Sequence, residues 1–427
     1  MRYSYRILVA SLLLILGFSI FKFKEFRDQE VIERDDLLNR YQTNQQNSLQ
    51  LEKDINDLRI NEKFLISKLK LNEEKLVEST KQLSINQDKV NQLNILSEGT
   101  RYEVVNSQYK KWNFIKESPS YQKVTYLKTG FDTSINDLIV LSVIGHGESY
   151  GPTRSFADYL DVIHSMKYDW NRATLGLLIG KKEEYDNIIN YLNKFESEDS
   201  FSKIIVIHAE YIEKVGAQLS RDQRHADNVQ KERRRTISKS RNFLVNNAIE
   251  DEAYTLFLDS DMVKVPTDMI KTFLNTDKDV IVPRIAKGTT IENYDFNSWR
   301  GTRIKPTKEQ EDLLDKDPNF VFVPKPDQAD HMHDLAHKTQ EYNHKGEESF
   351  IVELDSVGGA VLFLKSEIFK QGIMFPTNYI IGTTWDREGY DGIETEGLCY
   401  QANIIGYHCW GMPNYVAYHV DENVIGG

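Results

Sequence analysis

The sequence predicts an α/β fold built around a largely parallel sheet. Apolar, β-prone runs of strand length alternate with helix-patterned segments over roughly 150 residues, an order typical of a parallel sheet with helices on both faces. Apolar residues make up 40% of the chain, which is enough for a sizeable core. The predicted strands are 138–144, 174–179, 203–207, 254–258, 279–282 and 360–364, and the predicted helices between the first five strands are 155–166, 183–195 and 228–249.

Length and charge limit the class of protein further. The chain has 427 residues, so we expect one large domain with accessory segments rather than one average domain. Its net charge is −12, with no excess of basic residues. A nucleic-acid-binding protein needs a basic footprint, so we expect no nucleic-acid partner.

The N-terminal segment contains a long apolar run. It reads "ILVASLLLILGFSIF" from Ile7 to Phe21 and is flanked by basic residues. A helix of this length spans about 22 Å, which is short for a hydrocarbon core of about 30 Å but fits the thinner membranes of the early secretory pathway. A cleaved signal peptide is the competing interpretation, yet no small-x-small cleavage site follows. We expect a cytoplasmic tail at 1–6, a transmembrane signal anchor at 7–22 and a lumenal body.

A helical stalk is predicted at 23–99. No glycine or proline occurs between Phe18 and Glu98, and Leu51, Leu58 and Leu65 repeat every seven residues. Ile55, Leu69 and Leu76 lie on a second heptad track. Two such tracks predict a coiled coil, which either joins copies of the chain or serves as a solvated spacer. The remaining residues, 100–427, are predicted to form the lumenal domain, with a polar insertion at 305–349.

Two carboxylates follow the predicted strand at 254–258, in "YTLFLDSDMVKVP". Asp259 and Asp261 face the same side of an extended chain, at the sheet edge where α/β folds bind ligands. Oxygen ligands of this type suit Mg²⁺ or Mn²⁺, whose shell is usually completed by phosphates and water. A solvated turn is the simpler alternative, but a buried strand before the pair favours a metal site.

Two enzyme classes use such a motif. In haloacid dehalogenase-like phosphatases the first aspartate, here Asp259, is the nucleophile, and the motif ends the first strand of the fold. In nucleotide-sugar glycosyltransferases an Asp-x-Asp motif binds a metal that stabilises the departing diphosphate. Several predicted strands precede Asp259 here, which favours the second class.

The helix before this strand carries a basic residue on its apolar face. Ile237, Leu244 and Ala248 form an apolar stripe, and at 100° per residue Arg241 lies in its middle. Arg233 and Arg234 continue the same face. A buried arginine needs an anionic partner. That partner is either a structural carboxylate, such as the aspartates themselves, or the diphosphate of a bound nucleotide.

Three later segments add candidate site residues. Gly358 and Gly359 precede a strand and allow close backbone approach to a ligand or an unusual turn. Glu394 and Glu396 lie in the predicted loop "GIETEG" and are candidates for binding acceptor hydroxyls or for acting as a base. His419 shares a face of the last predicted strand with apolar residues, so it is either a structural histidine or a metal ligand.

The cysteines and the remaining histidines give weaker signals. The sequence leaves open whether the two cysteines form a disulfide. Four histidines in the polar insertion lack a clear set of metal ligands, and we expect them in a solvated loop. These residues are Cys399, Cys409, His331, His333, His337 and His344.

Seven motifs occur in an order that resembles the fungal Golgi mannan polymerase family of α-mannosyltransferases, glycosyltransferase family 62. They cover roughly 137–423 and read "RHADNVQKERRRTISKSRNFL", "LFLDSDMVKVPTDMI", "DVIVPRI", "YDFNSW", "LDSVGGAVLFLKSEIF", "ETEG" and "GMPNYVAYHV". The resemblance implies a GT-A fold, a type II Golgi membrane protein, GDP-mannose as donor and Mn²⁺ as cofactor. It also implies α-1,6 extension of the outer chains of N-glycans and assembly with related subunits.

The resemblance also assigns roles to single residues. Asp259 and Asp261 become metal and diphosphate ligands, and His419 a third metal ligand. Arg241 lies beside the donor, while Glu394 and Glu396 belong to an acidic loop near the mannose acceptor. The alternative function within this family is an assembly subunit with weak activity of its own.

Overall fold

The computed structural model describes residues 17–19, 21, 22, 24–29, 103–117, 120–197, 199–209, 227–288, 294–317, 320, 322 and 329–421. The chain divides into two compact units, Met1–Ser97 and Glu98–Gly427. Most of the predicted anchor at 7–22, and all but a few residues of the predicted stalk at 23–99, lie outside the described residues. Among the helices that are described, none combines the length and the apolar character needed to cross a bilayer.

A mixed sheet dominates the second unit. In chain order the strands are β1 Glu103–Val104, β2 Tyr109–Glu117, β3 Ser120–Lys128, β4 Leu138–Ile144, β5 Ala173–Ile179, β6 Lys203–Ala209, β7 Tyr254–Leu258, β8 Met262–Lys264, β9 Val280–Lys287, β10 Trp299–Gly301, β11 Ala329–His331, β12 Val352–Leu354, β13 Val361–Lys365 and β14 Cys409–His419. The main sheet has the order β1-β2-β3-β6-β5-β4-β7-β13-β9-β14-β12, β8 pairs with β14, and β10 and β11 form a separate pair.

Parallel pairing is concentrated in the centre of the sheet. Strands β6, β5, β4 and β7 run parallel to one another, and β14 runs parallel to β9. Strand β13 is antiparallel to both β7 and β9, and the β2–β3 hairpin adds antiparallel strands beyond β6. The carboxyl end of β7 therefore lies beside the start of β13, which places the Asp259 turn next to the paired glycines.

Helices cover both faces of the sheet. They are α1 Phe156–His164, α2 Lys182–Leu192, α3 Asp227–Ala248, α4 Met269–Thr276, α5 Lys308–Lys316, α6 Met332–His337, α7 Glu367–Lys370 and α8 Thr395–Ile404. Alternate residues of β4 divide between two apolar clusters, as the two-residue period of a strand requires. Val140 packs with α1 and α2, whereas Ile139 packs with α3 and α8.

The predicted strands and helices agree with the observed ones to within a few residues, but the β2–β3 hairpin was not predicted. In β2 only Tyr109 is buried and the other residues are partly or fully exposed. A strand at this edge of the sheet carries many polar residues and therefore lacks the apolar run by which the central strands were recognised.

The polar insertion contains more structure than predicted. It includes α5, β11 and α6, and the expectation of a solvated loop is wrong for His331 and His344, which are buried. Met332 and Leu335 bury one side of α6, which packs against β14. The His344 ring stacks on Phe350 with 4.1 Å between ring centroids, so burial of the apolar residues brings the histidines inside.

Cys399 and Cys409 form a disulfide, which settles the pairing that the sequence left open. Their Cα atoms are 5.8 Å apart, and both side chains are buried. The bond joins the first turns of α8 to the start of β14, so it fixes the helix that follows the acidic loop to the strand that ends at His419.

Replacing both cysteines, Cys399→Ala with Cys409→Ala, should lower the free energy of unfolding by roughly 3 kcal/mol, because the crosslink restricts the unfolded chain. Denaturant titration of the variant and of the oxidised wild type measures the difference. Wild type under reducing conditions is the control and should approach the variant. Equal unfolding midpoints for the variant and the oxidised wild type would contradict this role.

Candidate active site

A tight turn at the carboxyl end of β7 carries the two aspartates. The amide of Asp259 donates to the carbonyl of Ala360 at 2.9 Å, which ties the turn to the start of β13. The amide of Val420 donates to the carbonyl of Asp261 at 2.9 Å, which ties the same turn to the end of β14. The backbone of the Asp-x-Asp motif is therefore held from both sides.

Arg241 reaches this turn from α3, where it occupies the predicted apolar stripe. Its side chain is only 5% exposed, and its guanidinium lies over the rings of Phe257 and Phe375. Three hydrogen bonds satisfy it: Nη1 donates to Glu394 Oε1 at 2.8 Å, and Nη2 donates to Asp259 Oδ1 at 3.3 Å and to the Gly359 carbonyl at 3.1 Å. One side chain thus joins three predicted site segments.

The charge on Asp259 is poorly hydrated. Loss of water around its carboxylate raises the pKa of Asp259 to about 6, against the opposing charge of Arg241 and with a further upward contribution from Asp261. The side chain keeps 41% of its surface exposed, so crowding within an open cleft, rather than complete burial, removes this water. An added cation near the cleft would stabilise its ionised form.

Asp261 faces the end of β14. Its Oδ2 lies 3.0 Å from Nε2 of His419, whose Nδ1 donates to the Val420 carbonyl at 2.9 Å. The ring of Tyr294 stacks on the imidazole at 4.2 Å between centroids and fixes its plane. Burial lowers the pKa of His419, but Asp261 and the Val420 carbonyl outweigh burial, so the pKa is raised.

The predicted metal ligands are only partly assembled. Asp261 and His419 come together, whereas Asp259 is engaged by Arg241, and nowhere in the described residues do three His, Cys, Asp or Glu side chains form a group able to hold a metal ion. The Asp261–His419 pair nevertheless fits a cation. The Nδ1 hydrogen bond to a carbonyl is the orientation that metal-binding histidines adopt, and a metal would replace the proton of Nε2.

Gly358 and Gly359 leave room for two side chains of the site. A Cβ on Gly358 would lie 1.6 Å from Asp295 Oδ2, and one on Gly359 would lie 2.2 Å from Arg241 Nη1. The predicted close approach is therefore made by protein side chains in this structure. Asp295 also accepts from Ser298, and its pKa is raised by burial.

Both glutamates were predicted in a loop, but Glu396 lies in the first turn of α8, and only Glu394 precedes that helix. Glu394 has φ of 58° and ψ of −134°, a backbone conformation that residues other than glycine rarely adopt and that is found at functional sites. Glu396 accepts from Arg234 Nη1 at 2.9 Å, and its backbone carbonyl accepts from Arg303 Nη2 at 2.9 Å. Burial raises the pKa of Glu396 to about 7, against the opposing charge of Arg234.

Sequence reasoning missed several residues that shape the site. Arg303 bridges Asp391 and Glu396, and it lies in a polar stretch where no periodic pattern distinguishes it. Tyr294 could have been identified from the sequence, because it belongs to the "YDFNSW" motif. Of the predicted arginines, Arg233 is half-buried and makes no hydrogen bond or ion pair with any residue that the structure describes.

A family model and several fungal proteins match the chain. A sequence model of the Anp1 family matches residues 121–379. Mannan polymerase complex subunit MNN9 of Candida albicans is 28% identical over 284 residues, which cover 62% of this chain and 72% of that protein. The corresponding subunit of Schizosaccharomyces pombe is 26% identical, and the match covers 63% of this chain and 78% of that protein. The mannan polymerase II complex ANP1 subunit of Saccharomyces cerevisiae is 25% identical, and the match covers 64% of this chain and 54% of that protein.

Two solved structures match the chain distantly. The mannosyltransferase PcManGT from Pyrobaculum calidifontis, in complex with GDP-Man and Mn²⁺, has a TM-score of 0.35 at 8% identity, with 66% of this chain and 56% of that chain covered. GalNAc-T7 with UDP, GalNAc and Mn²⁺ has a TM-score of 0.37 at 14% identity, with 66% and 43% covered. The chain thus spans about half of each protein, and likenesses this weak do not assign a fold.

The raised pKa of Glu396 predicts a pH-dependent effect of Glu396→Gln. The folded-state pKa of about 7 lies above the unfolded value of about 4.3, so wild type loses stability as pH rises through this window. The variant stays neutral and escapes the loss. Between pH 4.5 and 7.5 its free energy of unfolding should rise by roughly 3 kcal/mol relative to wild type.

Denaturant titrations at several pH values measure the difference in free energy of unfolding between the variant and wild type. Loss of the Arg234 contact would change this difference by a constant amount and would not change its dependence on pH. The exposed Glu183→Gln is the matched control and should show no such trend. A difference between Glu396→Gln and wild type that does not vary with pH would contradict the prediction.

Proposed function

Because this chain belongs to the Anp1 family, we propose that it is a mannosyltransferase that transfers mannose from GDP-mannose to a mannose acceptor with retention of configuration. The acceptor we propose is the outer chain of an N-glycan, extended through α-1,6 linkages. The named relatives are subunits of mannan polymerase complexes, which supports this substrate class.

One observation carries the proposal: the buried Arg241 at the carboxyl end of β7. It holds Asp259 and Glu394 together, next to the Asp261–His419 pair. A guanidinium can bind a nucleotide diphosphate through two hydrogen bonds. A metal ion held by Asp261 and His419 would bind the same diphosphate through its oxygens. We infer that the diphosphate of the donor lies between these two groups.

Asp261 and His419 would hold a Mn²⁺ or Mg²⁺ ion, with diphosphate oxygens and water as further ligands. When bound, the ion would supply positive charge that stabilises the departing diphosphate. Asp259 is assigned to the same side of the cleft, where it orients Arg241 and neutralises part of its charge. Tyr294 keeps the imidazole of His419 in the plane that its hydrogen bond to Val420 sets.

The arginines and the acidic loop act on the two substrates. Arg241, with Arg233 and Arg234 on the same helix, is placed to stabilise negative charge on the phosphate oxygens as the bond to the sugar breaks. An acceptor hydroxyl then attacks from the face that GDP leaves. Glu394 and Glu396 are assigned to the acceptor side, where their carboxyl oxygens would accept hydrogen bonds from sugar hydroxyls.

The phosphatase alternative is not favoured. Asp259 follows β7, the seventh strand in chain order, whereas the phosphatase motif ends the first strand. Arg241 also contacts the carboxylate of Asp259. A nucleophilic aspartate of this class lies beside a metal ion, whereas the pair that suits a metal here is Asp261 with His419.

We place the protein in the Golgi membrane with a type II orientation and a lumenal catalytic unit. The apolar run at 7–22 and the heptads of 23–99 support an anchor and a stalk. Related family subunits are the proposed partners, as the names of the relatives suggest.

Asp261→Ala should abolish mannose transfer by the purified chain, because it removes one of the two groups assigned to the metal. The assay uses GDP-mannose and a mannose acceptor with and without Mn²⁺, for the chain alone and with co-purified partners. Asp251→Ala, a partly exposed aspartate before β7, is the control.

Full activity of Asp261→Ala would overturn the metal assignment. Absence of transfer by wild type under every condition, with phosphate release from a phosphomonoester instead, would overturn the mannosyltransferase assignment. Transfer only with a partner chain would favour the assembly-subunit alternative.

A further inference from the structure

Arg284 of β9 is a buried cation for which the described residues provide no counter-ion. The residue is 7% exposed, and its Nε and Nη1 atoms are buried without a hydrogen-bond partner in the part of the chain that the structure describes. Within the described part of the chain, no carboxylate forms an ion pair with it. Burial accordingly lowers the pKa of Arg284. An unpaired buried charge is costly, so a fold that keeps one usually supplies its counter-ion from a ligand.

Arg284 lies on β9, and β7 and β9 are the two neighbours of β13 in the main sheet. Leu256, Phe363 and Ile281 lie side by side on β7, β13 and β9. Asp259 directly follows β7, so Asp259 and Arg284 are carried by the two strands that flank β13.

The two side chains also share a face of the sheet. Phe257 and Val282, each two residues earlier on its strand, belong to the same apolar cluster. Since alternate residues of a strand point the same way, Asp259 and Arg284 project from that common face. The unpaired guanidinium therefore lies on the side of the sheet from which Arg241 approaches Asp259.

His333 of α6 adds a second group at the same place. Its Nδ1 atom is buried and has no hydrogen-bond partner among the described residues. Helix α6 packs against β14, and β14 pairs with β9 at Arg284, so the imidazole and the guanidinium lie in the same region of the fold. Desolvation lowers the pKa of His333, as do the charges of the neighbouring His337 and Arg284. The His333 and His337 rings are 4.3 Å apart between centroids, so the imidazole has a fixed position.

We propose that Arg284 and His333 form a binding site for a phosphate-class oxyanion, separate from the Arg241–Asp259 pair. A guanidinium donates along two edges of one plane, and the imidazole would donate from a second element. A tetrahedral phosphate presents oxygens in three directions and can meet both groups, whereas a carboxylate presents two oxygens in one plane. The proposal does not depend on the mannosyltransferase assignment.

The test is calorimetric titration of the full chain in detergent with inorganic phosphate. Arg284→Met should weaken phosphate binding about tenfold or more, because a charge-assisted pair is lost. Arg300→Met, the same change at an exposed arginine of β10, should leave phosphate affinity unchanged. His333→Leu should weaken binding to a smaller extent, and it keeps the test valid if Arg284→Met does not fold.

Thermal unfolding gives a second readout. Phosphate should raise the Tm of wild type and of Arg300→Met but not that of Arg284→Met. Without phosphate, Arg284→Met should unfold at or above the wild-type Tm, because the substitution removes an unpaired buried charge. A strong fall in Tm would show that Arg284 has a structural partner and would overturn the proposal, as would equal phosphate affinity of Arg284→Met and wild type.

Two further titrants identify the source of the oxyanion. GDP should bind Arg284→Met as tightly as wild type, and a loss equal to that for phosphate would assign Arg284 to the donor site and overturn the separate site. Mannose 6-phosphate that binds more tightly than inorganic phosphate, in an Arg284-dependent manner, identifies a sugar-borne phosphate. Equal affinity of the two identifies free phosphate, and both of these results support the site.

Discussion

The buried guanidinium of Arg241 is the interaction on which the site depends. It contacts Asp259 in the turn after β7, the carbonyl of Gly359 and the carboxylate of Glu394. These residues come from distant parts of the chain, and a side chain at Gly359 would occupy the place of the guanidinium. The buried cation compensates the charges of Asp259 and Glu394, and its removal would leave these two carboxylates without their counter-ion.

Rigid supports surround this interaction. The disulfide joins α8 to β14, and Arg303 binds both the carboxylate of Asp391 and the backbone of Glu396. On the opposite side, the Val420 amide and the Tyr294 ring hold Asp261 and His419. The candidate site thus has two parts, the guanidinium of Arg241 and the Asp261–His419 pair, and separate elements hold each of them. This arrangement suits a ligand that has to be held at two points.

Much of this arrangement could be predicted from the sequence, for identifiable reasons. The central strands are buried on both faces and therefore appear as continuous apolar runs, and Arg241 was conspicuous because it interrupts an apolar stripe. Three features could not be predicted. The β2–β3 hairpin has the polar composition of an edge, and the buried histidines of the insertion owe their environment to contacts with β14. Which aspartate Arg241 would bind depends on the turn after β7, since both carboxylates project from the same side of an extended chain.

The central claim is that Arg241 binds the donor diphosphate in addition to holding the site together. The most direct measurement is the affinity for GDP in the presence of Mn²⁺, for wild type and for Arg241→Lys, with Arg235→Lys on the same helix as the control. Lysine keeps the charge but loses the fork, so Arg241→Lys should bind GDP about tenfold or more weakly, whereas Arg235→Lys should bind it like wild type. Unchanged GDP affinity in a folded Arg241→Lys would contradict the account and leave Arg241 with a purely structural role.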